Sequence, residues 1–250
     1  MNSATVRTLL VRGMLAGLAA GLLAVGLAYL IGEPGVNAGI AYEDAHTHEH
    51  EMELVSRAVQ STGGLATAVL VFGTAVGGIA ALAFCCALGR IGRFGARATA
   101  ALIAVSAFVT VYLVPFLKYP ANPPGSNEPD TIGKRTALYF GMIALTVLVG
   151  VGAVIVGRRL AGRFGNWNAT LAAAAGFLAV IALAMAFLPA VDETPKDFPA
   201  TVLWQFRLAS LGIQALLWTA FGVIFGFLAE RALRPHAPHP GQAAELPTPA

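Results

Sequence analysis

Three of the five histidines in this 250-residue chain alternate within one short acidic segment. Neutral imidazole binds cobalt, nickel, zinc and copper, while carboxylates add oxygen donors and negative charge. In an extended chain all three imidazoles project to one side, whereas in a helix only the first and third share a face. The pattern predicts a site for a divalent metal but does not select one; the alternative is an exposed, merely solvated loop. The predicted ligands are His46, His48, His50, Glu43, Asp44 and Glu49.

A second stretch, rich in proline, could present backbone oxygens to a cation. Pro115 removes a backbone donor within an apolar helix, which frees a carbonyl one turn earlier and permits a kink. A broken helix at a membrane surface can offer such carbonyls to an ion. The alternative is a plain helix end followed by a stiff turn. The predicted outer mouth consists of Pro115, Lys118, Tyr119, Asn122, Arg135 and Arg207.

The elements that must position these residues are membrane helices. Apolar residues make up 57% of the chain and charged residues 12%, about half the charged share of a soluble domain, and the mean hydropathy is +0.71. Basic residues form no stripe with aromatic neighbours, so nucleic acid is not a predicted partner. Two adjacent cysteines cannot build a disulfide framework. The composition therefore predicts a multi-pass protein whose surroundings are the lipid bilayer.

Six apolar stretches are long enough to cross a bilayer as helices, which predicts an all-α bundle. A polar outer loop at 32–61 carries the histidines, the bundle occupies residues 1–233, and a proline-rich tail at 234–250 is predicted to be disordered. The predicted spans are about 9–31, 64–88, 99–118, 136–157, 169–189 and 207–229.

Charge is distributed unequally between the two sides of these spans. One side collects ten basic and two acidic residues, the other six basic and eleven acidic residues. The positive-inside rule then places both termini in the cytoplasm and three connections outside. The alternative is that residues 1–31 form a cleaved signal peptide, which would leave five spans.

Two segments, 92–95 and 162–165, share the sequence Gly-Arg-Phe-Gly and precede outward-running helices. They are compatible with three repeated helical hairpins, although any outward-running helix tends to begin with arginine. Arg57, Arg135 and Arg207 begin the inward-running helices, on the side that disfavours cations. We expect them to pair with acidic residues near them in sequence: Glu53, Asp130 and Asp197.

Small residues at four-residue spacing predict close helix contacts, either within the bundle or with another copy of the chain. They are Gly13/Gly17/Gly21, Gly73/Gly77 and Gly222/Gly226.

The spans contain no histidine and no deeply placed carboxylate, which disfavours a proton relay. No phosphate-binding Gly-x-x-x-x-Gly-Lys-Ser/Thr loop and no nucleophile–base set is present, so we expect neither an ATPase nor any other enzyme.

The residues together resemble the CbtA family of predicted cobalt transporter subunits of bacteria. The resemblance covers about residues 5–233 and rests on the histidine-rich first outer loop, the Lys-Tyr-Pro-Ala-Asn-Pro-Pro run at 118–124, and Phe198-Pro199-Ala200 with Trp204 and Arg207. It implies uptake of Co²⁺ for cobalamin synthesis, alongside a small, single-span, histidine-bearing CbtB-type partner. Ni²⁺ or Zn²⁺ remain alternative substrates, and no organic cofactor is expected. The rival function is that of a non-transporting accessory or scaffold subunit.

Overall fold

The structure is a computed structural model that describes residues 2–46, 64–124, 126, 131–191 and 194–234. Within these ranges all regular structure is helical, which confirms the predicted all-α membrane bundle. A π-helical segment at Ala28–Gly32 joins the first two helices, and another at Phe108–Leu113 joins the fourth and fifth. The helices are α1 (Ser3–Leu27), α2 (Glu33–His46), α3 (Leu65–Ala87), α4 (Ala96–Ala107), α5 (Val114–Lys118), α6 (Ile132–Phe187) and α7 (Ala200–Leu233).

Five continuous helical runs in the described part of the chain are long and apolar enough to cross a membrane. The longest, α6, reverses direction at Gly165, whose φ of 75° and ψ of 161° are non-helical. A Cβ built on Gly157 would lie 3.1 Å from Ala173 Cβ, and one built on Gly150 would lie 3.9 Å from the Phe177 ring. These contacts pair positions before the turn with positions after it, so α6 is an antiparallel hairpin of two helices.

The neighbouring helices of the bundle run antiparallel to one another. Gly222 and Gly226 of α7 pack against Ala104 and Arg97 of α4 in reverse order. The guanidinium of Arg12, near the start of α1, donates to the Leu228 carbonyl near the end of α7. The C-termini of α2 and α5 and the N-termini of α6 and α7 therefore lie at the same end of the bundle. We call this the outer end, following the predicted topology.

The glycine spacings pack α1 directly on α3. A Cβ on Gly13 would lie 2.7 Å from the Gly77 carbonyl oxygen, and a Cβ on Gly17 would lie 2.8 Å from Gly77 Cα. A Cβ on Gly73 would lie 2.9 Å from the Gly17 carbonyl oxygen. Such distances are too short for any real side chain, so glycine is required at this contact. The predicted close packing is internal to the bundle.

Aromatic rings fill the space between α3, α4 and α7. Phe84 and Phe225 are fully buried, and their ring centroids lie 5.1 Å apart in an edge-to-face arrangement. Phe221 stacks on Phe225 at 5.3 Å. Ala100 and Ala104 of α4 close this cluster from the other side. Together α1, α3, α4 and α7 form what we call the core bundle.

Each π-helical segment ends two residues before a proline: Gly32 precedes Pro34, and Leu113 precedes Pro115. A proline ring clashes with the carbonyl four residues earlier, and the wider π turn relieves that clash without ending the helix. As a result α1 continues into α2. Residues 33–46, which were predicted to lie in the first outer connection, are helical.

Candidate metal-capture site at the outer end

The outer end brings together α2 and two connections that are distant in sequence. A Cβ on Gly39 would lie 3.0 Å from Pro123 Cβ, so the loop after α5 packs closely on α2. The Tyr42 ring lies 4.9 Å from the Phe198 ring, centroid to centroid, and joins α2 to the segment before α7. These contacts place the last turn of α2 beside both connections.

His46 is the last residue of α2, and its imidazole is held in one orientation. Its Nδ1 lies 2.8 Å from the Tyr42 carbonyl oxygen, and its ring stacks on the Tyr42 ring at 4.1 Å. A carbonyl only accepts, so Nδ1 carries the proton and Nε2 of the neutral ring carries the lone pair. The side chain is 51% exposed. Metal-binding histidines commonly have this arrangement, in which one nitrogen is fixed by a carbonyl and the other is available to a cation.

The other predicted ligands are only partly described. Glu43 and Asp44 lie on α2 and are exposed, but Asp44 is two positions from His46 and therefore on nearly the opposite helix face. His48, Glu49 and His50 lie outside the described residues. Within the described ranges no group of three or more His, Cys, Asp or Glu side chains is placed to hold a metal ion.

Asp197 contacts His46, and sequence reasoning did not predict this contact. Its Oδ2 lies 3.3 Å from His46 Nε2, and its Oδ1 accepts a 2.8 Å hydrogen bond from the Tyr42 hydroxyl. The hydrogen bond from the Tyr42 hydroxyl lowers the pKa of the Asp197 carboxyl below its usual value. The carboxylate is therefore ionised at neutral pH. The sequence signal that could have indicated Asp197 is a carboxylate directly before Phe198 and Pro199 in a chain with few charged residues.

The expected pairing of Arg207 with Asp197 is wrong. Arg207 Nη2 donates to Asn122 Oδ1 at 2.7 Å, and its Nε lies 3.3 Å from the Ala121 carbonyl oxygen. Arg207 lies two helical turns into α7, and the nearest oxygens at that depth belong to the loop after α5. Asp197 lies before the helix and faces α2.

The remaining mouth residues hold the same loop in place. Arg135 donates to the Pro120 carbonyl, and Lys118 Nζ donates to the Met185 carbonyl at 2.8 Å. The buried Tyr119 donates its hydroxyl to the Pro189 carbonyl at 3.0 Å. The six mouth residues therefore lie in one region, and their cationic groups bind the backbone oxygens that a metal ion would otherwise use.

The carbonyl released near Pro115 has a partner inside the bundle. In the π-helical register the missing N–H of Pro115 would face the Thr110 carbonyl, and the buried Thr146 hydroxyl donates to that oxygen from α6. The same hydroxyl lies 2.9 Å from the Met142 carbonyl of its own helix. This contact attaches the α6 hairpin to the fourth and fifth helices.

At the outer end, His46 thus lies beside the Asp197 carboxylate, and Lys118, Arg135 and Arg207 donate to oxygens of Met185 and of the loop after α5. A comparison with protein-family models finds a match over residues 6–230 to the family described as probable cobalt transporter subunit (CbtA). Comparisons with curated proteins and with solved structures find no match. The family match spans α1 to α7 almost completely, so the chain belongs to the CbtA family of cobalt transporter subunits.

Proposed function

We propose that this multi-pass membrane protein captures Co²⁺ at its outer end and supplies it for cobalamin synthesis. The supporting observation is the orientation of His46, whose Nδ1 is fixed by the Tyr42 carbonyl, while the side chain is half exposed and its Nε2 faces the Asp197 carboxylate. His46 begins the His-x-His-x-His run, and the chain continues from it with Glu49 and two further histidines. Capture by several imidazoles together would raise the local cation concentration above the mouth.

The helix directions support six spans rather than five. The start of α6 lies at the outer end, where Arg135 bonds the Pro120 carbonyl, and the end of α6 lies there too, since Lys118 bonds the Met185 carbonyl. The two halves of the α6 hairpin, 132–164 and 166–187, would then cross the bilayer in opposite directions. Both termini would lie in the cytoplasm of a bacterium, with the protein in the inner membrane.

A groove of about 680 Å³ between α4 and α7 supports a partner subunit. Ala101, Val105, Val223 and Trp218 line it, so its surface is almost entirely apolar. Helices associate in a bilayer through close packing, and a transmembrane helix could pack in such a groove. We propose that a single-span, histidine-bearing CbtB-type helix occupies the groove; a second copy of this chain is the alternative occupant.

A non-transporting scaffold is the second candidate function. The observation that favours it is the closed mouth: Lys118, Arg135 and Arg207 bind the loop and carbonyl oxygens on the route inward. A scaffold would present the captured ion to another subunit and conduct nothing itself. Uptake by cells that express this chain alone separates the two functions.

The test is uptake of radiolabelled Co²⁺, with Ni²⁺ and Zn²⁺ as competitors, with and without the partner. Replacing His46, His48 and His50 together by Ala should raise the half-saturating Co²⁺ concentration and leave the maximal rate largely unchanged. The matched control replaces His236 and His239, the only other histidines in the chain, and should not change uptake. A triple variant that keeps the original half-saturating concentration would show that the segment does not capture the ion.

A further inference from the structure

The last turn of α2 and the segment before α7 form a small cluster in which one carboxylate faces one imidazole. Tyr42 lies between them: its ring stacks on His46, and its hydroxyl donates to Asp197 Oδ1 at 2.8 Å. The other carboxylate oxygen, Oδ2, lies 3.3 Å from His46 Nε2. Both side chains are more than half exposed, so an ion from outside can reach the space between them.

The distance between these two atoms matches the edge of a metal coordination shell. Zinc and similar first-row cations bind imidazole nitrogen and carboxylate oxygen at about 2.0–2.2 Å. Two such ligands on one ion are separated by about 2.9 Å at a right angle and by about 3.3 Å at the tetrahedral angle. His46 Nε2 and Asp197 Oδ2 have the latter separation. A cation could therefore bind both atoms with little movement of either side chain.

Both ligand atoms are also held from behind. The Tyr42 carbonyl fixes His46 Nδ1 as the donor, which directs the lone pair of Nε2 toward Asp197. The Tyr42 hydroxyl fixes Asp197 Oδ1 and leaves Oδ2 toward the imidazole. One residue thus orients both ligands, in the manner of the outer hydrogen bonds that commonly support metal ligands.

We propose that Asp197 is a metal ligand and forms, with His46, a two-side-chain site for a divalent first-row transition cation. The site would join the first outer segment to the last one, with water or further ligands completing the coordination. This inference rests on the proposed capture function, because it takes His46 as a ligand. It differs from the sequence prediction in the carboxylate that binds the ion: Asp197 takes that role, whereas Asp44, predicted as a ligand, lies on nearly the opposite face of α2 from His46.

The experiment measures Co²⁺ binding to the purified full chain by calorimetry and by the visible absorption of bound Co²⁺. Asp197→Asn should weaken binding at least about 10-fold, as expected when a ligand or its support is removed. Asp44→Asn removes the same charge from the opposite face of α2 and should change binding by less than about twofold. Asp197→Cys should add a thiolate-to-cobalt charge-transfer band that the wild-type chain, with its two cysteines on α3, does not show.

The outcomes separate this inference from the capture function. Equal weakening by Asp197→Asn and Asp44→Asn, with no new band in Asp197→Cys, would overturn the ligand role and leave only a charge effect. If His46→Ala still weakens binding in that case, capture by the histidine segment stands without Asp197. If His46→Ala leaves Co²⁺ binding unchanged, both the pair and the capture role of His46 are wrong. Both acidic residues are exposed, so the thermal unfolding of the metal-free variants should match that of the parent chain.

Discussion

The core bundle and the α6 hairpin are both apolar and helical, yet they are held in different ways. In the most apolar stretch of α7, 33% of the residues are buried within the protein, compared with 11% in that of α6. Glycine backbones meet directly between α1 and α3, whereas α6 is attached through one small apolar cluster around Met142 and through polar bonds, such as those from Thr146 and Lys118.

This difference shows that hydropathy alone does not reveal which membrane helices form a frame. Lipid tails are as apolar as leucine, so helices associate in a bilayer through close packing and hydrogen bonds. The core bundle uses close packing over several turns, and the hairpin uses one small apolar cluster together with hydrogen bonds. Most of the hairpin surface is left for lipid or another subunit.

The largest expected effect concerns the turn of the hairpin, which should lie on the cytoplasmic side. In a chain without Cys85 and Cys86, Ala45→Cys and Thr194→Cys should react with a membrane-impermeant maleimide in intact cells. Gly162→Cys should react only after the membrane is opened, because it lies beside the turn at Gly165. Reaction of Gly162→Cys in intact cells would contradict two crossings by α6.

The next largest effect contrasts glycines in the two regions. Gly17→Leu should prevent normal packing, at a cost above the roughly 1–3 kcal/mol of ordinary overpacking, because the atoms it meets are backbone atoms of α3. Gly152→Leu in α6 meets no atom within 4 Å of its Cβ and should be tolerated. The measurement is the monodisperse yield in detergent and the thermal midpoint. Similar losses for both variants would mean that the hairpin packs as tightly as the core bundle.

A smaller effect is expected where the hairpin joins the bundle. Thr146→Val keeps the shape but leaves the Thr110 carbonyl without its donor, which should cost about 1–3 kcal/mol. The control is Thr170→Val, since that exposed hydroxyl bonds only the Asn166 carbonyl of its own helix. Thermal unfolding in detergent measures both. Equal midpoints for the two variants would remove Thr146 as an attachment point.

The smallest effect concerns the backbone of the turn itself. Gly165 has a φ of 75° and a ψ of 161°, a combination that essentially only glycine adopts and that costs other residues about 1–3 kcal/mol, so Gly165→Ala should destabilise the hairpin by about that amount. Gly162 lies in helical backbone with open space around its Cβ, so Gly162→Ala should be neutral or slightly stabilising. Proteolysis near the turn, in opened membranes, reports the difference. A neutral Gly165→Ala would mean that the turn does not need its left-handed backbone.

Sequence predicted the features that depend on local spacing. The contacts of Gly13 and Gly17 follow from a four-residue repeat on one helix, and the irregular π-helical segment before Pro115 lies where the missing N–H disturbs the helix. The helical state of residues 33–46 was not predicted, because this acidic segment lies outside the apolar stretches. A π turn before the proline changes that outcome, and nothing in a hydropathy pattern indicates it.

The contact between His46 and Asp197 could not be predicted for a related reason. It joins residues about 150 positions apart, and it depends on α2 continuing as a helix to the last turn. Local charge pairing suggested Arg207 for Asp197, but Arg207 lies deeper and bonds Asn122. Contacts between polar residues far apart in sequence depend on how the helices pack, and local sequence patterns do not specify that packing.

The backbone at Gly165 also determines whether the chain crosses the bundle an odd or an even number of times after Lys118. A straight helix of 56 residues would extend about 84 Å and would deliver residue 187 far from the end at which residue 132 begins. The chain would then have to enter α7 from the opposite end, and Gly222 and Gly226 would no longer meet α4 in reverse order. The turn at Gly165 thus makes the number of passes after Lys118 odd, counting α7, and brings the C-terminal end of α7 to the end of the bundle at which α1 begins.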